Sequence, residues 1–325
     1  MKKIMIGFIL CSNMLIAHAN PKLPGVDDFI NKMVVNHDFN KEELKSLFSQ
    51  VEPKTSIVKA ISRPAEKSIP WYKYRNIFIK DKQINGGAQF WQQHVDTLEA
   101  AEKKYGVPAK IIVAILGVET RYGGNVGGYR VIDALSTLAF KYPPRSTFFT
   151  RELEHFLLLT REEKMSQLSP LGSYAGAMGL GQFMPSSYRE YAVDFDDDGQ
   201  RDIWTNPVDA IGSIANYLKR HGWVEGKSIA HKTQFLGLTP TAFIKKGYKP
   251  SLTRDELQAK GVSITGLPKG KDKIALISLT QKHGEEYWLV RKNFYAITRY
   301  NHSRMYAMAV MQLADKIQEK YERLN

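Results

Sequence analysis

The chain has 325 residues, with 46 Lys and Arg against 33 Asp and Glu, for a formal net charge of +13. At 43% hydrophobic and 24% charged it reads as an ordinary globular protein, which excludes a disordered tail or a collagen-like fibre; its length suits two or three domains. The single cysteine, Cys11, excludes a disulfide framework and a Cys-ligated zinc site, and the excess of positive charge points to an anionic partner: nucleic acid, a lipid surface or an acidic polymer.

The chain begins with Lys2 and Lys3, then an apolar run over 4–17, then small residues Ala17 and Ala19 two apart. This is the layout of a secretory signal cleaved after Ala19, with a buried N-terminal helix as the alternative. The run is shorter than the ~20 residues that cross a bilayer. Leu10 before Cys11 argues against a lipid anchor, which wants a small residue there. An exported chain makes cell-wall polymer a better partner than nucleic acid.

Residues 27–104 read as mostly helical, with helices expected over 38–48 and 88–104 and an aromatic, basic stretch without clear period over 69–75. Gly106 breaks the chain, and Pro108 opens a strongly apolar helix to about residue 120. A glycine-rich loop (123–128) follows, then helices over 131–141 and 152–165, a Gly/Ser/Ala-rich stretch over 172–188, an acidic stretch over 194–209, and a helix over 207–221. Residues 223–292 change in composition, with strand-like runs at 274–279 and 287–290. A last amphipathic helix is expected over 303–324.

Two constellations carry chemistry. In the Pro108 helix, Ile112, Ile115, Leu116 and Glu119 fall at i, i+3, i+4 and i+7, which puts Glu119 on the apolar face at the helix C-terminus. Burial and the negative end of the helix dipole both favour a protonated carboxyl, the form a general acid needs. Pairing with Arg121 on a half-buried face is the other reading. Farther on, Asp194, Asp196, Asp198 and Gly199 reproduce positions 1, 3, 5 and 6 of an EF-hand loop, with Asp202 at position 9. Thr205 stands where the bidentate Glu belongs, and Asp209 is the nearest substitute. Calcium is the expected ion, and a solvated acidic loop the alternative.

Taken together, the chain resembles the lytic murein transglycosylase B family. The resemblance rests on stretches 117–123 (GVETRYG), 140–145 (FKYPPR), 176–188 (GAMGLGQFMPSSY), 194–209 and 293–303 (NFYAITRYNHS), in family order. It implies a mainly α, α+β fold: a lysozyme-like helical core with an additional helical domain and a small antiparallel β domain. The division expected is a signal peptide over 1–19, an N-terminal helical domain over 20–94, a catalytic core with the calcium loop over 95–222, a β-rich insertion over 223–292, and a segment completing the core over 293–325. The implied reaction cuts the β-1,4 bond between N-acetylmuramic acid and N-acetylglucosamine of peptidoglycan, leaving a 1,6-anhydromuramic acid end. Glu119 matches the catalytic acid and base, and Ser173 and Gln182 line the cleft beside it. Tyr74, Arg145, Tyr217, Tyr300, Asn301 and Tyr306 match sugar- and peptide-contacting positions, the tyrosine rings being suited to stack on pyranoses. Asp194, Asp196, Asp198 and Asp209 match the ligands of a structural calcium, with no cofactor for catalysis. The family prototype is lipid-anchored, a feature that does not carry over here.

The partners expected are glycan strands and proteins of wall synthesis or remodelling, not nucleic acid. The chain is expected to act as a monomer in the periplasm. A muramidase that adds water and an inactive calcium-stabilised wall-binding protein are the competing readings. Asp133 is the nearest second carboxylate, with a packing or capping role as the alternative.

Overall fold

A computed structural model describes residues 23–62, 69–237 and 240–324. The expected signal peptide lies outside them. Among the described residues no helix is long and apolar enough to cross a membrane. The chain starts with short helices α1 (Val26–His37), α2 (Lys41–Ser49), α3 (Thr55–Ile61) and α4 (Trp71–Phe78), followed by α5 (Asp81–Gln93) and α6 (Val95–Tyr105). The expected single helix over 88–104 is two, because His94 leaves helical geometry (φ −128°, ψ 30°) and its N–H is shared by the carbonyls of Phe90 and Trp91.

Helix α7 (Ala109–Thr120) is the centre of the molecule. Nine of its twelve residues are buried, so it has no solvated face. A helix apolar all round belongs inside a core, and here Glu119 is half-buried at its inner end rather than lying on one stripe. Against it pack α5, α6, α11 (Pro207–Arg220) and, later in the chain, α15 (Arg304–Glu322); α8 (Val131–Lys141), α9 (Ser146–Glu162) and α10 (Pro185–Tyr191) pack on one another in that order, and α14 (Lys292–Tyr300) packs on α11 and α15. α15 crosses both α7 and α5 and brings the C-terminal segment into the centre. Buried Glu152 on α9 accepts the backbone N–H (2.9 Å) and hydroxyl (2.8 Å) of Ser186, so a carboxylate caps the start of α10.

One pair of short strands, β1 (Tyr129–Arg130) and β2 (Leu171–Gly172), ties the chain after the glycine loop to the start of the 172–188 stretch. The insertion holds an antiparallel sheet in the order β3 (Ala230–Thr233), β5 (Glu285–Val290), β4 (Ala275–Thr280). It also holds two short helices, α12 (Thr241–Ile244) and α13 (Arg254–Gln258), the latter opened by a capping box between Thr253 and Glu256. Leu252, Leu257, Val262, Leu276 and Leu289 form a small core of its own. The N-terminal helices share one hydrophobic core with α7, α8, α11 and α15, and packing draws no boundary near residue 94. The architecture is the mainly helical core with a small antiparallel sheet that the resemblance implies.

Candidate active site and acidic loop

The last turn of α7 shows why the 117–123 stretch has its particular residues. Arg121 (φ 54°) and Tyr122 (φ 61°) both adopt the left-handed conformation, which costs roughly 1–2 kcal/mol for each side chain. The reversal folds Tyr122 back over its own helix, where its hydroxyl donates to Gln83 O at 2.7 Å and its ring stacks on Phe90. A Cβ on residue 117 would stand 2.4 Å from that hydroxyl, so Gly117 is what admits the ring. Thr120, fully buried, donates from Oγ1 to Leu180 O (2.9 Å) and accepts from the N–H of Gly123 (3.1 Å). These contacts bolt the end of α7 to the 176–184 stretch and fix the backbone that carries Glu119.

Glu119 Oε1 accepts a hydrogen bond from the Tyr306 hydroxyl at 2.6 Å. Behind this pair stands a column of rings: Tyr300 parallel to Tyr306 at 6.4 Å, Tyr217 edge-on to Tyr300 at 4.8 Å, and His221 stacked on Tyr217 at 4.0 Å. Tyr300 donates to Gly181 O at 2.5 Å and Tyr217 to Arg299 O at 2.6 Å. Burial first, and then the Glu119 carboxylate, raises the phenols of Tyr300 and Tyr306 well above their ordinary range. Both therefore remain protonated donors at any working pH.

This arrangement bears on the expected stacking of sugar rings on these tyrosines, whose other reading is a place in the core. Tyr74 and Tyr306 are each 2% exposed and Tyr217 is 7% exposed, so none presents a free face to a pyranose. Tyr74 is packed between Trp71 and Phe78. These rings are the wall that holds Glu119, and only Tyr300 is half-buried. An aromatic on a helix reads alike as wall or as platform, and which it becomes depends on the neighbouring element.

Ser173 and Gln182 organise the loops beside the site. Ser173 Oγ accepts the N–H groups of Ala177 (3.1 Å) and Ala175 (3.3 Å), which leaves its proton to donate elsewhere. Gln182, itself left-handed (φ 52°), uses its amide nitrogen to hold Gly179 O (2.9 Å) and Val126 O (3.1 Å), joining the glycine loop to the 178–183 turn. Asn301 ends α14 half-buried. Between it and Tyr306, residues 302–305 border a cavity of 1040 Å³ whose far wall includes Trp71, Lys245 and Tyr248. The 69–75 stretch thus begins as cleft wall. Arg145 is exposed at the end of a 3₁₀ turn (Pro143–Arg145), its guanidinium over the rings of Phe148 and Phe149.

Asp133 is 2% exposed and is consumed by structure. Arg130 Nε donates to it at 2.7 Å and the Glu52 N–H at 2.9 Å, clamping α8 to the N-terminal segment. Glu119 is left without a second catalytic carboxylate from that helix.

The acidic loop brings Asp194, Asp196 and Asp209 together, with one oxygen of each within 4.8 Å of the others. Oxygens sharing one calcium at 2.3–2.6 Å lie no more than about 5 Å apart, so the set fits that ion. Backbone groups shape it: Asp194 accepts from Asp198 N–H and Gly199 N–H, and fully buried Asp209 accepts from Phe195 N–H and Asp202 N–H, each at 2.7 Å. Burial, with Asp196 and Asp194 adding to it against those two N–H groups, pushes Asp209 up to about 6. Among the described residues no Lys or Arg forms an ion pair with the three. Asp198 does not join them: its Oδ1 caps the turn at Gln200 N–H (2.8 Å). Asp202 likewise turns inward, onto the N–H groups of Trp204 and Thr205.

Residues 22–315 match the transglycosylase SLT domain family. The chain belongs to that family. It is 43% identical over 303 residues to the membrane-bound lytic murein transglycosylase B of Escherichia coli K12, covering 90% of this chain and 82% of that protein. Among solved structures, the soluble lytic transglycosylase SltB1 of Pseudomonas aeruginosa superposes with a TM-score of 0.87 at 50% identity, covering 91% of this chain and 99% of that one. The Escherichia coli lytic transglycosylase Slt35 in complex with calcium superposes with a TM-score of 0.84 at 42% identity, over 92% and 94%. The chain is accordingly a lytic murein transglycosylase, an enzyme that cleaves glycosidic bonds of the peptidoglycan glycan strand non-hydrolytically.

Proposed function

We propose that Glu119 performs this cleavage alone, as acid and then as base. The observation that carries the reading is a single half-buried carboxyl gripped by Tyr306, with Asp133 already spent on Arg130. Hydrolysis by the two-carboxylate route needs a second group about 5–9.5 Å away as nucleophile or water-activating base. Here the substrate supplies the missing parts. Glu119 gives its proton to the glycosidic oxygen as the C1–O bond breaks. The N-acetyl carbonyl of muramic acid stabilises the cation at C1, with the Ser173 hydroxyl orienting it. The Glu119 carboxylate then takes the proton of the sugar's C6 hydroxyl, and that oxygen closes on C1. Both reacting groups lie in one sugar, so the attack gains the proximity that free water lacks. Tyr306 holds the carboxyl in place through both steps. Gln182 fixes the loop beside it, and Asn301 with the adjoining cavity receives the sugar and its peptide.

Calcium belongs to the Asp194, Asp196, Asp209 cradle as a structural ion, a reading supported by the convergent donors and by the calcium in the Slt35 structure. The domain division given above is kept as a working map, with Arg145 as an outlying contact for substrate carboxylates. Export by residues 1–19 and action as a soluble periplasmic monomer complete the reading; the target polymer lies outside the inner membrane.

The test is product mass. Purified glycan strands digested in ¹⁸O-labelled water should yield ends lighter than the hydrolysis product by one water and free of label. Labelled reducing ends would establish the muramidase instead.

A further inference from the structure

At the opposite end of α14 from Tyr300, a cavity of about 340 Å³ opens between the insertion and the core. Its charged lining is Lys227, Lys249, Lys273, Arg291 and Lys292 against one acid, Asp272. That acid is already engaged. It pairs with Arg291, whose side chain is 5% exposed, and with Lys227 at 3.4 Å. Arg291 is further fixed by donating to Ser228 Oγ at 2.7 Å. Lys249, Lys273 and Lys292 form no ion pair among the described residues, and all three are exposed at the rim. The cavity therefore has a salt-bridged floor centred on buried Arg291 and a rim of lysines that form no ion pair among the described residues.

Like charges gathered around one small concavity repel each other, and low-dielectric walls focus their field outward. A group that neutralises several of them at once is the natural occupant. The start of α14 adds to the same field, since no side chain caps its first turn. The lysines also come from different parts of the chain: Lys249 and Lys273 from the interior of the insertion, Lys227 and Lys292 from its two ends, where it joins the helical core. An occupant would bridge the two sets.

We propose that this cavity binds an oxyanion carrying at least two negative charges and thereby ties the insertion to the core. The chemistry is shared by free phosphate and by the clustered carboxylates of a peptidoglycan stem peptide. The inference stands on the cavity and does not depend on the role given to Glu119.

The experiment is calorimetric titration of the whole protein with inorganic phosphate, and separately with free stem tetrapeptide, at constant ionic strength. The variants are K249A/K273A/K292A and a control of equal charge loss elsewhere, K41A/K59A/K103A. The expected result is saturable one-site binding, weakened at least tenfold in the first triple variant and unchanged in the control. Tetrapeptide that displaces phosphate assigns the site to the substrate's own carboxylates, and phosphate binding that tetrapeptide leaves untouched assigns it to free phosphate. No saturable binding of either probe, or equal loss in both triple variants, overturns the proposal. Cleavage of peptide-free strands by the variants is read separately and reports on the Glu119 mechanism alone.

Discussion

Glu119 is held by a phenol with a column of aromatic rings behind it, whereas Asp194, Asp196 and Asp209 bring one oxygen each within 4.8 Å of the others. The same chemical group is put to opposite use in the two places. At Glu119 the hydrogen-bond partner is a phenol, and burial keeps Tyr306 and Tyr300 from ionising near neutrality, a setting that suits the proposed passage of a proton out and back. In the acidic loop, three carboxylates crowd a partly buried cradle, and among the described residues no Lys or Arg forms an ion pair with them. That arrangement is costly unless a cation fills it.

The sharpest way to break this contrast is Glu119→Gln. The amide keeps the shape and can still accept from Tyr306, so the fold should be retained. It cannot deliver a proton to the leaving oxygen. General acid catalysis is worth about 10²–10⁴ in rate, and turnover on murein should fall by at least that range. A folded Gln variant with ordinary turnover would move the chemistry away from this residue.

Next in size is Tyr306→Phe. It removes one hydrogen bond to an ionisable group, worth about 1.5–3 kcal/mol, which corresponds to roughly 10- to 100-fold in rate. Because the ring stays buried against Tyr300, melting should change little. Activity assays paired with thermal melts decide between wall and positioning role: a large melting loss with proportionate activity loss would mean that the tyrosine is wall only.

How far the two sites could be read from the sequence follows from how local their determinants are. The acidic loop is a spacing of oxygens over sixteen residues, so three of its four expected ligands are the ones that converge. The fourth, Asp198, has its Oδ1 on the N–H of Gln200. Glu119 was singled out by the period of one helix, although that helix is apolar all round and the carboxyl lies at its end and not on a stripe. Its setting was not legible there. Tyr306 lies 187 residues away and reaches Glu119 only through the packing of α15 on α7. The left-handed pair Arg121–Tyr122 is carried by bulky residues that give no local warning. In the insertion, β4 and β5 showed as apolar runs, while β3, with the sequence AHKT, is too short and polar to announce itself. Its identity comes from pairing with β5.

A smaller effect is expected from removing calcium. An ion that binds only the folded state at a hundred times its dissociation constant adds about 2.7 kcal/mol. At roughly 2–4 °C per kcal/mol for a domain of this order, chelation should lower the melting temperature by several degrees, and added calcium should restore it. Asp209→Asn should abolish the response while leaving Glu119 chemistry measurable at low temperature. Melting indifferent to a chelator that demonstrably empties the loop would reduce the three aspartates to a solvated cluster.

The smallest effect concerns the histidine that ends the ring column. Burial holds His221 below its ordinary value of 6.5, against the opposing pull of the Tyr217 carbonyl at Nδ1. A base whose folded value is depressed resists protonation in the native state, while the unfolded chain takes up its proton near 6.5. Its contribution to stability is therefore complete above that pH and drains away as the pH falls below it. His94, His155, His231 and His302 are displaced the same way, each chiefly by burial, and add to the slope. Asp209 acts in the opposite sense without its ion: a carboxyl raised to about 6 contributes most at acid pH and loses that contribution as the pH climbs to its folded value. A single melting curve against pH would mix the two. Comparing wild type with His221→Phe isolates one group, because the ring still stacks on Tyr217 and every other titration is common to both. The melting temperature of wild type should fall more steeply than that of the variant between pH 7 and 5. Parallel curves would mean that His221 titrates alike in the folded and unfolded chain, and that the column behind Glu119 is indifferent to its protonation.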